Sequence, residues 1–550
     1  MPNNRRIYLL GALLITAVMF AAAFTALDLE TPNASARGGE ENKLTASAGI
    51  PHNVILIIAD DFGIEMSQLY TTAADLPPTP ILNDLMSEGV LFNNAWTYPI
   101  CTPTRAAILT GRYGFRTGVG SLQDNSDVGL QLSEFTIPEA ISAGSPFTYT
   151  HANIGKWHLS TQANGARDNP NLAGYDHFSG LLRGGLSAGG YSDWTKVVNG
   201  TSVTVTNYAT TETVDDAISW LGTQNGDDKP WFLWLAFNAP HSPFHLPPLD
   251  LHSFDALTTT QSVIDADPYP YYKAMVEAMD TEIGRLLNSL PADVRENTTI
   301  IFIGDNGSPG QVAQAPLTSQ TAKGSLYDGG VHVPFMISGP QVVNPDREVD
   351  GLVNAVDLYS TILELMGIDV AATVPNTVTL DSVSLMPFIT DSAAEPVREW
   401  ILSERFEPAG AADDGKTIRN EQYKLIVLDN GDEEFYDLAA DRYQAEDLLT
   451  AADPMSAEEE ENYCQLFQTL NDLVESEAGQ TFVSPPASCD AILAATATPT
   501  STPTETATPE QTATPTVAST PTSTETPSAT ATATPESSTE VEIFLPSIVR

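Results

Sequence analysis

Three short apolar runs constrain the fold more than any other feature of the chain. They are Val54-Ile55-Leu56-Ile57-Ile58-Ala59, Trp231-Phe232-Leu233-Trp234-Leu235-Ala236-Phe237 and Thr299-Ile300-Ile301-Phe302-Ile303. Each has the length of a strand and shows no alternation of polar and apolar residues. A strand of that kind must be covered on both faces, as in a parallel sheet flanked by helices. Helical patterns lie between the runs. Val214, Ala217, Ile218 and Leu221 share one face, and Met275, Met279, Ile283, Leu286, Leu287 and Leu290 recur at helical spacing between Tyr271 and Leu290. Asp357 to Met366 is another amphipathic helix. From about Arg398 the pattern changes. Ile401-Leu402-Ser403, Tyr423 to Val427 and Glu434 to Leu438 look like strands joined by polar turns, followed by a helix around Tyr463 to Glu475. This predicts a smaller α+β subdomain with an antiparallel sheet.

The runs end in chemistry. The first leads into Asp60-Asp61-Phe62-Gly63, the second into Asn238-Ala239-Pro240-His241-Ser242-Pro243, the third into Gly304-Asp305-Asn306-Gly307. Sites in open α/β sheets gather at the carboxyl ends of strands. Adjacent carboxylates repel one another and ask for a cation or strong donors. Taken singly, each motif is also an ordinary polar turn. The stretch Cys101-Thr102-Pro103-Thr104-Arg105, continuing to Leu109-Thr110-Gly111-Arg112, reads as a loop that turns into a helix. Thr102 is its expected cap, Pro103 its first residue and Gly111 its end. Cys101 then sits just before a helix N-terminus and beside Arg105. Both would lower a thiol pKa or hold an anion. A small buried cysteine is the plainer alternative. In Gly155-Lys156-Trp157-His158 an extended backbone would point Lys156 and His158 to one face. Lys323 lies in Ala322-Lys323-Gly324. Together these residues describe an oxygen-ligand cation site, which favours Ca²⁺ or Mg²⁺ over zinc. The fixed cations around it suit a tetrahedral oxyanion such as sulfate or phosphate.

Charge and targeting signals narrow the setting. Lys and Arg number 24 and Asp and Glu 71, a formal charge of −47. That excludes nucleic acid as a partner, since its phosphates are bound by Lys and Arg. Residues 1–36 have the form of a signal peptide: Arg5 and Arg6, an apolar run from Ile7 to Ala26, then Ala34-Ser35-Ala36. The run is also long enough for an uncleaved anchor. Either way the chain is expected to be exported, whether secreted, periplasmic or held at the cell surface. A local Cys464–Cys489 disulfide fits that compartment and leaves Cys101 as the single thiol. Residues 37–50 form a polar linker. Residues 165–205 are rich in Gly, Ser, Asn and Asp and read as long pocket-shaping loops with a short hairpin. Residues 491–540 repeat Thr, Pro, Ala, Ser and Glu and predict a disordered stalk. The apolar end, residues 541–550, is either a surface-attachment element or inert.

In this order and context the motifs Cys101 to Arg105, Leu109 to Arg112, Gly155 to His158 and Gly304 to Gly307 resemble the type I, formylglycine-dependent sulfatases of the alkaline phosphatase superfamily. The resemblance runs from about Asn53 to about Leu449. It implies an α/β fold with a large mixed, mostly parallel sheet flanked by helices. The catalytic domain would span 51–395 and the C-terminal subdomain 396–490. It implies a sulfuric ester hydrolase whose Cys101 is oxidised to formylglycine by a formylglycine-generating or sulfatase-maturating enzyme. The hydrate of that aldehyde would attack sulfur, form a covalent sulfate and then release it. Asp60, Asp61, Asp305, Asn306 and the modified Cys101 would hold Ca²⁺, with Mg²⁺ less favoured. Arg105 and Lys156 would hold the diol and the carboxylates. His158 would be the base of sulfate elimination, and His241 and Lys323 would grip the sulfate and protonate the leaving oxygen. Two positions depart from the family pattern: Thr104 where serine is commoner, and His332 where arginine is frequent. A phosphonate monoester or phosphodiester hydrolase of the same superfamily, and an inactive surface binding protein, are the competing readings.

Overall fold

The computed structural model describes residues 52–496, except 72–74, 123–128, 187–189, 225–228 and 481. The signal segment, the polar linker, the stalk beyond 496 and the apolar end lie outside the described residues. The described chain up to Leu493 belongs to one compact unit. Its strands are β1 (Asn53–Ala59), β2 (Gly89–Trp96), β3 (Thr150–Lys156), β4 (His177–Leu181), β5 (Trp194–Val198), β6 (Thr201–Val205), β7 (Trp231–Ala236), β8 (Thr298–Gly304), β9 (Phe335–Ser338) and β10 (Arg347–Asn354). They form one ten-stranded sheet in the order β10-β2-β9-β8-β1-β7-β3-β4-β5-β6. The pairings β8·β1, β1·β7, β7·β3, β3·β4 and β10·β2 are parallel, while β9 and the β5–β6 hairpin run antiparallel.

The three apolar runs became β1, β7 and β8, side by side at the centre. Successive β1 residues serve opposite faces, as a pleat requires. Val54, Leu56 and Ile58 pack with Ile108, Leu109, Ile141, Tyr359 and Ile362 from the helices Cys101–Thr110, Ile137–Gly144 and Asp357–Leu365. Ile55, Ile57 and Ala59 pack on the other face, with Leu82, Val214, Met275, Met279 and Ile283 from the helices Pro80–Ser87, Ala209–Gln224 and Tyr269–Ser289. The run shows no polar alternation because both of its faces are core.

A second sheet is an antiparallel meander of β11 (Ile401–Arg405), β12 (Gly415–Arg419), β13 (Tyr423–Leu428) and β14 (Glu433–Asp437). The helix Ala457–Glu475 closes it, setting Tyr463, Leu466, Phe467 and Leu470 against Leu425, Val427 and Phe435. The disulfide Cys464–Cys489 ties that helix to the chain that follows, leaving Cys101 as the free thiol. Ser403 Oγ on β11 donates to Thr97 O, 2.8 Å away, just ahead of Cys101.

Three expectations change. The stretch read as loops with a short hairpin at 165–205 contains such a hairpin, β5–β6, and adds the strand β4. Its glycines and polar residues disguise strands that bury only a few apolar side chains, Phe178, Trp194, Val197 and Val205; Gly180 pairs with Gly155. Val331 to Ile337 reads as strand in the sequence, but Val331 ends a short helix, Asp328–Val331, and strand begins only at Phe335. The stalk expected from 491 starts with a helix, Asp490–Thr496, whose Ile492 and Leu493 rest on the apolar cluster beneath Phe467.

The disulfide closes a loop of 25 residues. Cys464→Ala is expected to cost about 3 kcal/mol of stability through the added freedom of the unfolded chain. A lowered urea midpoint measures it, and an unchanged midpoint refutes it.

Candidate active site

Strand register assembles the site. Ala59 pairs with Gly304, so Asp60 and Asp305 leave the sheet as neighbours. Ile58 and Gly155 both pair with Ala236, which brings Lys156 and the turn at Asn238 to the same edge. Gly155 is required here: a Cβ on it would lie 1.9 Å from Ala236 O, and its φ is +100°. The fourth contribution comes from the helix Cys101–Thr110, which runs one turn off the sheet's end. Cys101 is its first residue, not the residue before it, and Ile100 takes the cap position expected of Thr102. Pro103 is tolerated because the first-turn N–H groups have no intrahelical partner. Gly111 ends the helix at φ 68°, as expected.

Three carboxylates face three cations. Lys156 Nζ donates to Asp60 Oδ2 at 2.6 Å. Arg105 Nε and Nη2 donate to Asp305 Oδ2 at 3.1 and 2.7 Å, and Nη1 donates to Lys156 O at 2.7 Å. Lys323 pairs with Asp61 and lies 3.7 Å from Cys101 Sγ. Asp305 Oδ1 accepts the Asp61 N–H at 3.0 Å, and Asn306 Nδ2 donates to Asp61 Oδ1 at 2.8 Å. Cys101 Sγ is 3.5 Å from Asp60 Oδ1. Thr104 Oγ1 donates to Asp305 O at 2.7 Å and accepts from Tyr98 N, so the hydroxyl shared by serine and threonine is in use. The structure thus brings together every residue singled out from the sequence, His158 and His241 included.

The electrostatics explain the states of these groups. Burial pushes Asp60 up, but Lys156, with His241, Arg105 and Lys323 behind it, pulls it down by more, well below the usual carboxylate range. Burial pushes His158 well below its ordinary value, and Lys156 and Arg105 push it further, so its imidazole is neutral. For Cys101 the outcome reverses the expectation from its helix position. Burial pushes the thiol up to about 12, and Lys156 and Lys323 recover only part of that. Two backbones in the site are left-handed, Asp61 at φ 72° and His158 at φ 63°. His241 Nδ1 lies 2.6 Å from Ser242 O, a carbonyl that only accepts, so the proton sits on Nδ1 and Nε2 faces Asp61 Oδ2 at 3.9 Å.

One oxygen each from Asp60, Asp61 and Asp305 and the sulfur of Cys101 lie within 4.8 Å of one another. Asn306 Oδ1 is buried beside them without a hydrogen-bond partner. This donor set fits a hard divalent cation.

Sequence reasoning missed several supports. Tyr191 Oη lies 2.6 Å from Asn238 O and 2.7 Å from His241 O and pins the His241 turn. Tyr272 Oη donates to Asp61 O at 2.8 Å, and Ser308 Oγ accepts from Gly63 N at 3.0 Å. Tyr191 lies in a glycine-rich stretch and Tyr272 in a helix whose visible signal is packing, so neither announced a role. His332 is buried, with Nδ1 2.9 Å from Asp328 Oδ2 and Nε2 2.8 Å from Asn93 O.

Carboxylates, cations and a cysteine thus gather at the carboxyl ends of the central strands. The chain belongs to the sulfatase family: the Sulfatase family model matches residues 52–368, and the model described as N-sulphoglucosamine sulphohydrolase, C-terminal, matches residues 321–473. Among relatives, an uncharacterized sulfatase, YdeN, of Escherichia coli (strain K12) is 32% identical over 354 residues, 59% of this chain and 60% of that one. Arylsulfatase J of Mus musculus is 26% identical over 337 residues, 58% of this chain and 53% of that one. Each match therefore takes in less than two thirds of the relative. The crystal structure of Ps i-CgsB in complex with k-i-k-neocarrahexaose shares the fold at TM-score 0.65 and 24% identity, covering 82% of this chain and 98% of that one.

Arg105 and Asp305 are both 0% exposed. Arg105→Met is expected to destabilise the protein by about 3–5 kcal/mol, because it strands a buried carboxylate. Denaturant unfolding reads the loss; a change below about 1 kcal/mol would refute the buried pair.

Proposed function

We propose that the protein is an exported sulfatase that hydrolyses aryl or carbohydrate sulfate esters. The observation that carries this reading is the placement of Cys101. Its sulfur lies within 4.8 Å of one oxygen each from Asp60, Asp61 and Asp305 and 3.7 Å from Lys323 Nζ. The hydrate of formylglycine would supply an oxygen nucleophile and ligand in that place.

In this reading Asp60, Asp61, Asp305, Asn306 and residue 101 hold Ca²⁺ in preference to Mg²⁺. When bound, the ion supplies positive charge that favours an ionised oxygen on residue 101 and a sulfate oxygen beside it. Arg105 and Lys156 fix the carboxylates and the nucleophilic oxygen. That oxygen bonds to sulfur while the ester S–O bond breaks; His241 and Lys323 grip the sulfate, and the departing alcohol or phenol oxygen takes up one proton, donated by the Lys323 ammonium. His158, neutral and buried, then removes the proton of the remaining hydroxyl. The C=O bond re-forms, and sulfate leaves with the electrons of its bond to carbon.

The division into a signal peptide (1–36), linker (37–50), catalytic domain (51–395), C-terminal subdomain (396–490), stalk (491–540, beginning with the helix that ends at Thr496) and attachment segment (541–550) completes the proposal. The Cys464–Cys489 disulfide supports export, since such bonds persist outside the reducing cytosol. A maturating enzyme that oxidises Cys101 is the required partner.

Peptide mass spectrometry across Cys101 is expected to find the aldehyde or its hydrate. Cys101→Ala is expected to lower kcat/KM on an aryl sulfate by on the order of 10⁴ or more. Full activity in that variant would refute the mechanism, and faster turnover of phosphonate or phosphodiester would move the assignment to that class. Chelation of Ca²⁺ is expected to abolish turnover and its return to restore it; activity that survives exhaustive chelation would remove the metal from the reading.

A further inference from the structure

We propose that Gly184 is a positioning residue for His158: its missing side chain lets the loop after β4 close on the imidazole and hold it in one orientation. This rests on the sulfatase reading, in which His158 is the base.

A Cβ built on Gly184 would lie 2.4 Å from His158 Cε1, 2.6 Å from Nε2 and 3.2 Å from Nδ1, so its three nearest atoms all belong to that ring. Gly184 is not in the left-handed region, so the backbone would accept alanine there. The cost of a methyl group falls on whatever can move. The two backbones are tied together close by, because Trp157 N donates to Leu181 O at 2.8 Å. Trp157 is itself anchored by its Nε1–H on Asn169 Oδ1 at 2.7 Å. With both backbones held, a methyl group on Gly184 would press on the imidazole itself. The next residue, Gly185, would place its Cβ 3.5 Å from His241 Cε1, an ordinary contact. One loop therefore covers both histidines, but it is tight only over His158.

A misplacement of about 1 Å in a catalytic group costs on the order of 10² in rate. Gly184→Ala is expected to lower kcat by about that factor with KM little changed. Only the elimination step needs the base, so the covalent sulfate on residue 101 should accumulate during turnover and be seen by intact-mass measurement. Gly185→Ala should lose far less. In a His158→Ala background, Gly184→Ala should add no further loss, since the ring it displaces is gone. The chain has eight histidines, few enough for ¹³C-labelled histidine NMR. Gly184→Ala should move the His158 ring resonance in the full-length protein, whether or not residue 101 is converted. If Gly184→Ala does not fold, the double variant with His158→Ala should fold, because the clash has been removed. Wild-type turnover in a folded Gly184→Ala protein, losses that add in the double variant, an unmoved ring resonance, or a double variant that also fails to fold would each overturn the proposal. Failure of the sulfatase reading looks different: the unaltered protein would not turn over aryl sulfates while the ring shift persisted.

Discussion

The parallel pairing of β1 with β8 is the constraint on which the site depends. Its register ends at Ala59 and Gly304, so the next residue on each strand is an aspartate, and both lie in the protein interior. Two buried carboxylates side by side cannot both ionise without nearby positive charge. Lys156 answers Asp60 from the end of β3, Arg105 answers Asp305 from the second turn of a helix, and Lys323 answers Asp61 from a loop. Three separate elements are thereby fixed to the centre of the sheet by one electrostatic demand. Arg105 extends the tie, since its remaining guanidinium nitrogen holds the carbonyl of Lys156.

The same interior that makes those ion pairs strong makes Cys101 a poor thiolate. A helix N-terminus and neighbouring cations favour a negative sulfur, but removal from water opposes it, and here burial prevails. His158 obeys the same rule: burial pushes its pKa well down, and Lys156 and Arg105 push it further.

Much of the fold was legible because it follows from local pattern. The runs at Val54, Trp231 and Thr299 are apolar on both faces and became the central strands; the helices at Val214, Met275 and Asp357 carried their stripes plainly. Less visible was β4, whose serine and glycine look like loop until the pairing partner is present. The cap of the Cys101 helix also moved by two residues, since Ile100 is held extended by its surroundings and not by a capping side chain. In the site, the charged residues stood out by type and position. Tyr191, Tyr272 and Gly184 did not, because a tyrosine in a loop or helix and a glycine among glycines carry no local mark of what they touch.

The sequence by itself determined which residue types stand at the ends of the central strands, the family they belong to, and the doubly covered sheet they require. These are consequences of composition along a few consecutive residues. Tertiary structure alone decided that Lys156 pairs with Asp60 and Arg105 with Asp305, that the Cys101 thiol is raised and not lowered, and that the loop after β4 rests on His158. Each of those depends on strand register and on the exclusion of water, and neither exists until distant segments of the chain have come together.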